Sequence, residues 1–197
     1  MTLLGALLDG DLAYLGADLA QMRYDTSSGG VWEYVPLQKP ERVGSLPVLW
    51  AYYGNASVGE EFRDFVGRDA AIDTWSDLGT RYGPELRRLN GAAGNHGVPA
   101  AEALFVGFLA DGIGYMDIDV DGLGRNLIVF GEDCHFSGNG RIAAKVGYTT
   151  ASRLRPEANN IDNFKIAFEE SIEAIANLMG PPVFWSIDRE GNVDRSV

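Results

Sequence analysis

Residues 2–18 read TLLGALLDGDLAYLGAD, two apolar runs (2–8 and 12–17) split by Asp9-Gly10. An Asp-Gly between apolar runs is a strong hairpin signal, because Gly accepts the positive φ that tight turns need. The chain therefore opens on a β-hairpin. Working outward, VWEYVPL (31–37) alternates and predicts a strand, while LPVLWAYY (46–53) is apolar on both faces and ends at Gly54. That second pattern predicts a strand buried between two layers. From 56 the spacing changes: Ala56, Gly59, Phe62, Phe65 and Val66 recur at helical intervals, and a second helix is expected from about 76 to 90. Strands return at 102–109, 113–120 and 125–130, separated by Asp111-Gly112 and Asp121-Gly122. Helices are expected at 139–150 and 160–178, the latter stopped by Gly180-Pro181-Pro182, and a last hairpin begins at 183–188.

Blocks of antiparallel strands alternating with blocks of helices predict an α+β fold. Doubly buried strands call for helices on both outer faces, hence a four-layer αββα sandwich. No repeat or linker divides residues 1–197, so one domain is expected.

Composition narrows the function. Lys plus Arg number 16 against 28 Asp plus Glu, a formal charge of -12. Phosphate contacts need clustered cations, so a nucleic-acid binder is disfavoured. No apolar run approaches the roughly 20 residues that span a bilayer, and no basic n-region opens the chain. A cytoplasmic acidic globular protein is expected. One cysteine, Cys134, forms no internal disulfide and no Cys-rich zinc site. Lysines occur only at 39, 145 and 165.

Several constellations are weak. Asp117, Asp119, Asp121 and Gly122 open like a calcium loop, but the twelfth position is Ile128 rather than Glu. Their alternation predicts a strand with the odd positions in solvent. Cys134 and His135 are adjacent, and neighbours on a strand point to opposite faces. His96 sits in a Gly-rich loop without nearby ligands, and the Gly-x-Gly stretches lack the strand-to-helix context of a dinucleotide site. Thr2 is more promising. Removal of Met1 would free its α-amine, whose reference pKa near 8 lets it take the proton of its own hydroxyl.

The ordered set of short motifs resembles the proteasome β-type subunits, with the tail closest to the bacterial ancestral-β-subunit branch. The motifs are the opening 2–18, YYGNA (52–56), IGYMDIDVDG (113–122), HFSGNGRIAA (135–144) and GPPVFWSIDREG (180–191). The resemblance implies an N-terminal-nucleophile hydrolase, here a threonine peptidase. On these residues it implies Thr2 as nucleophile, its amine as base, Asp18 as the acid that orients a catalytic lysine, and the Gly54 N–H as oxyanion donor. It further implies Ser137 beside the threonine amine, with Met22 and Ala56 lining a pocket for apolar or small side chains. The lysine is open between two residues. Lys39 is the only one before 145, whereas Arg42 lies at a more familiar distance from Gly54 but cannot share protons. The family's late Asp and Ser are absent at the matching positions of Ala176-Asn177-Leu178-Met179-Gly180, where Asn177 substitutes for one of them only if the helix end shifts by a residue. The implied chemistry needs no metal or organic cofactor. The implied partners are further copies in a ring or helical homo-oligomer, a peptide or unfolded protein substrate, and an ATPase unfoldase. An inactive scaffold or a small-substrate amidase on the same fold is the alternative.

Overall fold

The computed structural model describes residues 3–18, 40–68, 71–94, 101–118, 134–138, 161–173 and 182–196, and the backbone of 20–24, 32–36 and 126–130. In chain order the strands are β1 (Leu3–Asp9), β2 (Leu12–Ala17), β3 (Ala20–Tyr24), β4 (Trp32–Pro36), β5 (Glu41–Arg42) and β6 (Val48–Gly54). After helices α1 (Ala56–Val66) and α2 (Trp75–Gly94) come β7 (Ala101–Leu109), β8 (Gly112–Ile118), β9 (Asn126–Phe130) and β10 (Cys134–Gly138). Helix α3 (Ile161–Glu173) and strands β11 (Val183–Ile187) and β12 (Val193–Ser196) follow.

Two antiparallel five-stranded sheets run β10-β1-β2-β11-β12 and β5-β6-β7-β8-β9. Strands β3 and β4 pair separately as a ribbon, and β3 is an element that periodicity did not reveal. The opening hairpin turns through Gly10-Asp11, with Asp9 facing Leu12. The expected helix at 139–150 lies outside the described residues.

Period-two alternation generates the layers. On β1, Leu4, Ala6 and Leu8 point to the seam between the sheets, while Leu3 and Leu7 point outward to α3. On β6, Leu49, Ala51 and Tyr53 enter the seam, and Val48 and Trp50 meet α1 and α2. Three apolar clusters thus separate four layers: helices, sheet, sheet, helix. The α+β sandwich expected from the strand and helix blocks is present.

The helices form for local reasons. The Asn55 side chain caps α1 by accepting from the Val58 N–H. Thr74 and Asp77 cap α2 reciprocally, each side chain accepting from the other's backbone N–H. Their apolar stripes (Phe62 and Val66; Leu78, Tyr82, Leu86 and Leu89) are buried against the second sheet. These stripes are spent on the core. No helix among the described residues is long and apolar enough to cross a membrane.

On the other side, Phe164 and Phe168 of α3 descend onto the first sheet beside Phe136 and Phe184. Gly5 and Gly16 are cross-strand partners beneath those rings. A Cβ at Gly5 would meet Phe164 at 2.9 Å, and one at Gly16 would meet Phe184 at 2.8 Å. The two missing side chains are what let the rings reach the sheet.

The seam also holds polar groups. His135 Nε2 stands 2.7 Å from Asp117 Oδ2, both residues about 5–6% exposed, and the His135 ring stacks on Tyr115. This tie joins β10 of one sheet to β8 of the other. It corrects the expectation that the odd positions of 113–120 face solvent: Tyr115 and Asp117 point inward, and Met116 and Ile118 are buried on the opposite face. A carboxylate is tolerated there because an imidazole N–H compensates its desolvation. Cys134 points the other way, toward α3, so it does not pair with His135.

Two stability measurements follow from this packing. Gly16→Val overpacks the ring bed and costs about 2 kcal/mol by urea unfolding, a loss reduced when Phe184→Leu is combined with it. Removing either partner of the buried pair, by Asp117→Leu or His135→Leu, costs about 3 kcal/mol, and the double variant costs less than the sum of the two.

Candidate active site

The start of β1 is fixed by one side chain. Asp18, at the end of β2, is fully buried, and its Oδ1 accepts the Leu3 N–H at 2.6 Å. The Asp18 N–H in turn donates to the Leu3 carbonyl at 3.2 Å. The Leu3 nitrogen belongs to the Thr2–Leu3 peptide bond, so this carboxylate grips the chain one bond from Thr2. Thr2 itself lies outside the described residues.

Strand β10 lies on the other side of β1, in the register Leu3 to Gly138 and Leu4 to Ser137. Ser137 therefore shares the seam-facing side of the sheet with Leu4. Its Oγ stands 2.8 Å from the Tyr53 hydroxyl, and both residues are buried. Tyr53 is the penultimate residue of β6. Gly54 follows it, exposed, with φ of 98°. That region suits glycine, and it turns the chain from β6 into the capped start of α1. Ala56 is the first residue of α1 and is half-buried.

Three of the residues singled out in the sequence are thus brought together: Asp18 and Ser137 flank the first residues of β1, and Gly54 follows the tyrosine bonded to Ser137. Met22 is on β3, where it pairs with Tyr34, and its side chain lies outside the described part. Lys39 and residues 176–180 also lie outside it.

Arg42 is placed elsewhere. It pairs with Leu49, five residues before Gly54 on β6, or roughly 16 Å of strand. Its guanidinium donates to the Ser45 carbonyl at 2.6 Å and the Leu46 carbonyl at 3.3 Å, and a Cβ at Gly191 would meet it at 2.8 Å. It serves a turn at the opposite end of β6 from the Asp18–Ser137 group.

Two features escaped the sequence reading. Tyr53 looked like one more apolar strand residue. The Asp117–His135 pair likewise has no local signal: His135 is two positions from Ser137 on the same face of β10, and Asp117 is on β8. The alternation of 49, 51 and 53 could have put Tyr53 in the seam, but only the fold supplies its partner.

No protein-family model matches the sequence, and no curated protein sequence matches it. Solved structures do match. Anbu, the ancestral β-subunit from Yersinia bercovieri, aligns with a TM-score of 0.75 at 10% identity, covering 98% of this chain and 86% of that one. An Anbu mutant from Hyphomicrobium sp. strain MC1 gives 0.71 at 10% identity, covering 99% and 86%. Eukaryotic HslV from Trypanosoma brucei gives 0.63 at 12% identity, covering 94% and 99%. At such identities the likeness carries the fold alone. The chain has the N-terminal-nucleophile hydrolase fold, in the form shared by Anbu and HslV, the proteasome-like β-type subunits.

Proposed function

We propose that the chain is a proteasome-like threonine peptidase acting through Thr2 after loss of Met1. The observation that carries this reading is the buried Asp18 carboxylate on the Leu3 N–H, at the end of β1 where Ser137 and the Gly54 turn also gather. Ser137 lies opposite Leu4, the second residue of β1, and the peptidase reading sets Thr2 beside it.

In this mechanism the Thr2 amine takes the hydroxyl proton while Oγ1 bonds to the peptide carbonyl carbon. The tetrahedral oxygen receives the Gly54 N–H, aided by the positive end of α1. The C–N bond then breaks, and the leaving nitrogen takes the proton back from the amine. Water attacks the remaining ester with the same amine as base, releasing the acid and restoring Thr2. Lys39 supplies the positive charge that lowers the pKa of amine and hydroxyl, since Arg42 is engaged at the far end of β6. Ala56 and Met22 shape the pocket next to the scissile bond.

The remaining properties belong to the same proposal. Residues 1–197 act as one cytoplasmic domain that self-associates into a ring or helical assembly. The substrate is a peptide or unfolded protein, delivered by an ATPase unfoldase. No metal or organic cofactor takes part.

Intact mass spectrometry should show a chain lacking Met1, and a threonine-directed β-lactone should add one adduct to it. Thr2→Ala should abolish the adduct, and Asp18→Asn should slow its formation at least 10-fold. A chain that keeps Met1 and takes no label overturns the peptidase reading in favour of an inactive scaffold. Labelling without turnover of any peptide favours a small-substrate amidase.

A further inference from the structure

The reaction centre just described is split between two sheets. The nucleophile side belongs to β1 and β10, and the oxyanion donor belongs to β6. Catalysis of this kind depends on holding those sides within a fraction of an ångström. Among the described residues, the 2.8 Å hydrogen bond between Tyr53 and Ser137 is a buried polar contact that bridges them at this end of the seam.

We infer that Tyr53 is a positioning residue for the Thr2 reaction, acting through Ser137. This inference rests on the peptidase reading above. Its physical basis is local. Tyr53 is 6% exposed and belongs to the apolar seam cluster with Leu4, Ala17 and Leu104, so its hydroxyl is buried in an apolar layer. A serine hydroxyl has one proton to donate and two lone pairs. When Tyr53 donates to the Ser137 oxygen, it fills one lone pair and leaves the serine proton for the Thr2 amine that the peptidase reading sets beside it. Chained hydrogen bonds polarise one another, so the serine proton becomes a better donor. A neutral amine accepts that proton and an ammonium cannot. The chain Tyr53–Ser137–amine therefore favours the neutral, basic form that the mechanism requires.

Tyr53 also precedes Gly54 directly. Its anchorage steadies the peptide unit that carries the Gly54 N–H. Its effect is on geometry and on the amine's proton.

The test is the rate of β-lactone labelling and of peptide turnover against pH, for the full chain and three variants. Tyr53→Phe keeps the ring and removes the hydroxyl. It should slow labelling about 10-fold, lower kcat with KM nearly unchanged, and move the acid limb of the profile up by about half a pH unit. In a Ser137→Ala background, Tyr53→Phe should change nothing further, since its route runs through that serine. A fluorinated tyrosine at 53 keeps shape and hydroxyl while donating more strongly, and should move the acid limb down. Unchanged rates and limb in both Tyr53 variants overturn the inference, and so does an effect of Tyr53→Phe that adds fully to that of Ser137→Ala. A wild-type chain that takes no label overturns the peptidase reading and this inference with it. A labelled wild type with an indifferent Tyr53 overturns the inference alone.

Discussion

The arrangement hangs on the placement of the first residues of β1. A fully buried carboxylate is costly unless its oxygens are satisfied, and Asp18 spends one of them on the Leu3 N–H. This bond closes the β1–β2 hairpin at the end opposite its turn. It also ties the first residue of β1 to the end of β2. The β1–β10 register then brings Ser137 opposite Leu4, and the Tyr53–Ser137 bond draws in the other sheet. Each later element of the site is referenced to that first constraint.

The seam is apolar along most of its depth, with Leu4, Leu8, Leu15, Leu104, Val106 and Ile187 among its residues. Within it Tyr53 pairs with Ser137 and His135 with Asp117. In a low-dielectric layer such pairs resist being separated, because each partner left alone bears its own desolvation cost. A one-residue slip of β10 would turn His135 and Ser137 out of the seam and put Cys134 and Phe136 in their place. The two polar ties therefore specify register, which the surrounding leucines do only weakly.

Much of the layering was legible in the sequence because it depends on periodicity. The run 46–53 is apolar at every position, and the strand there is buried on both faces. The hairpin at Asp9-Gly10 and the helical spacing from Ala56 were likewise local signals. What failed was non-local. Asp117 reads as one of three alternating solvent carboxylates until His135 is known to lie opposite it across the seam. Tyr53 and Ser137 are 84 residues apart, and nothing in either segment encodes their meeting. Arg42 was a candidate cation by counting from Gly54. Counting along a chain ignores that β5 folds back on the far end of β6, where Ser45 and Leu46 offer their carbonyls.

Cys134 turns away from His135, toward α3. It is the single thiol of the chain, buried beside Phe136 and under α3. Thiol reagents react with exposed thiolate, so their reaction here is gated by the lifting of α3 or the parting of β10. The protein thus carries an internal clock for the opening of its outer layer. Protection of that one sulfur reports how often the helix leaves the sheet, without a probe being added.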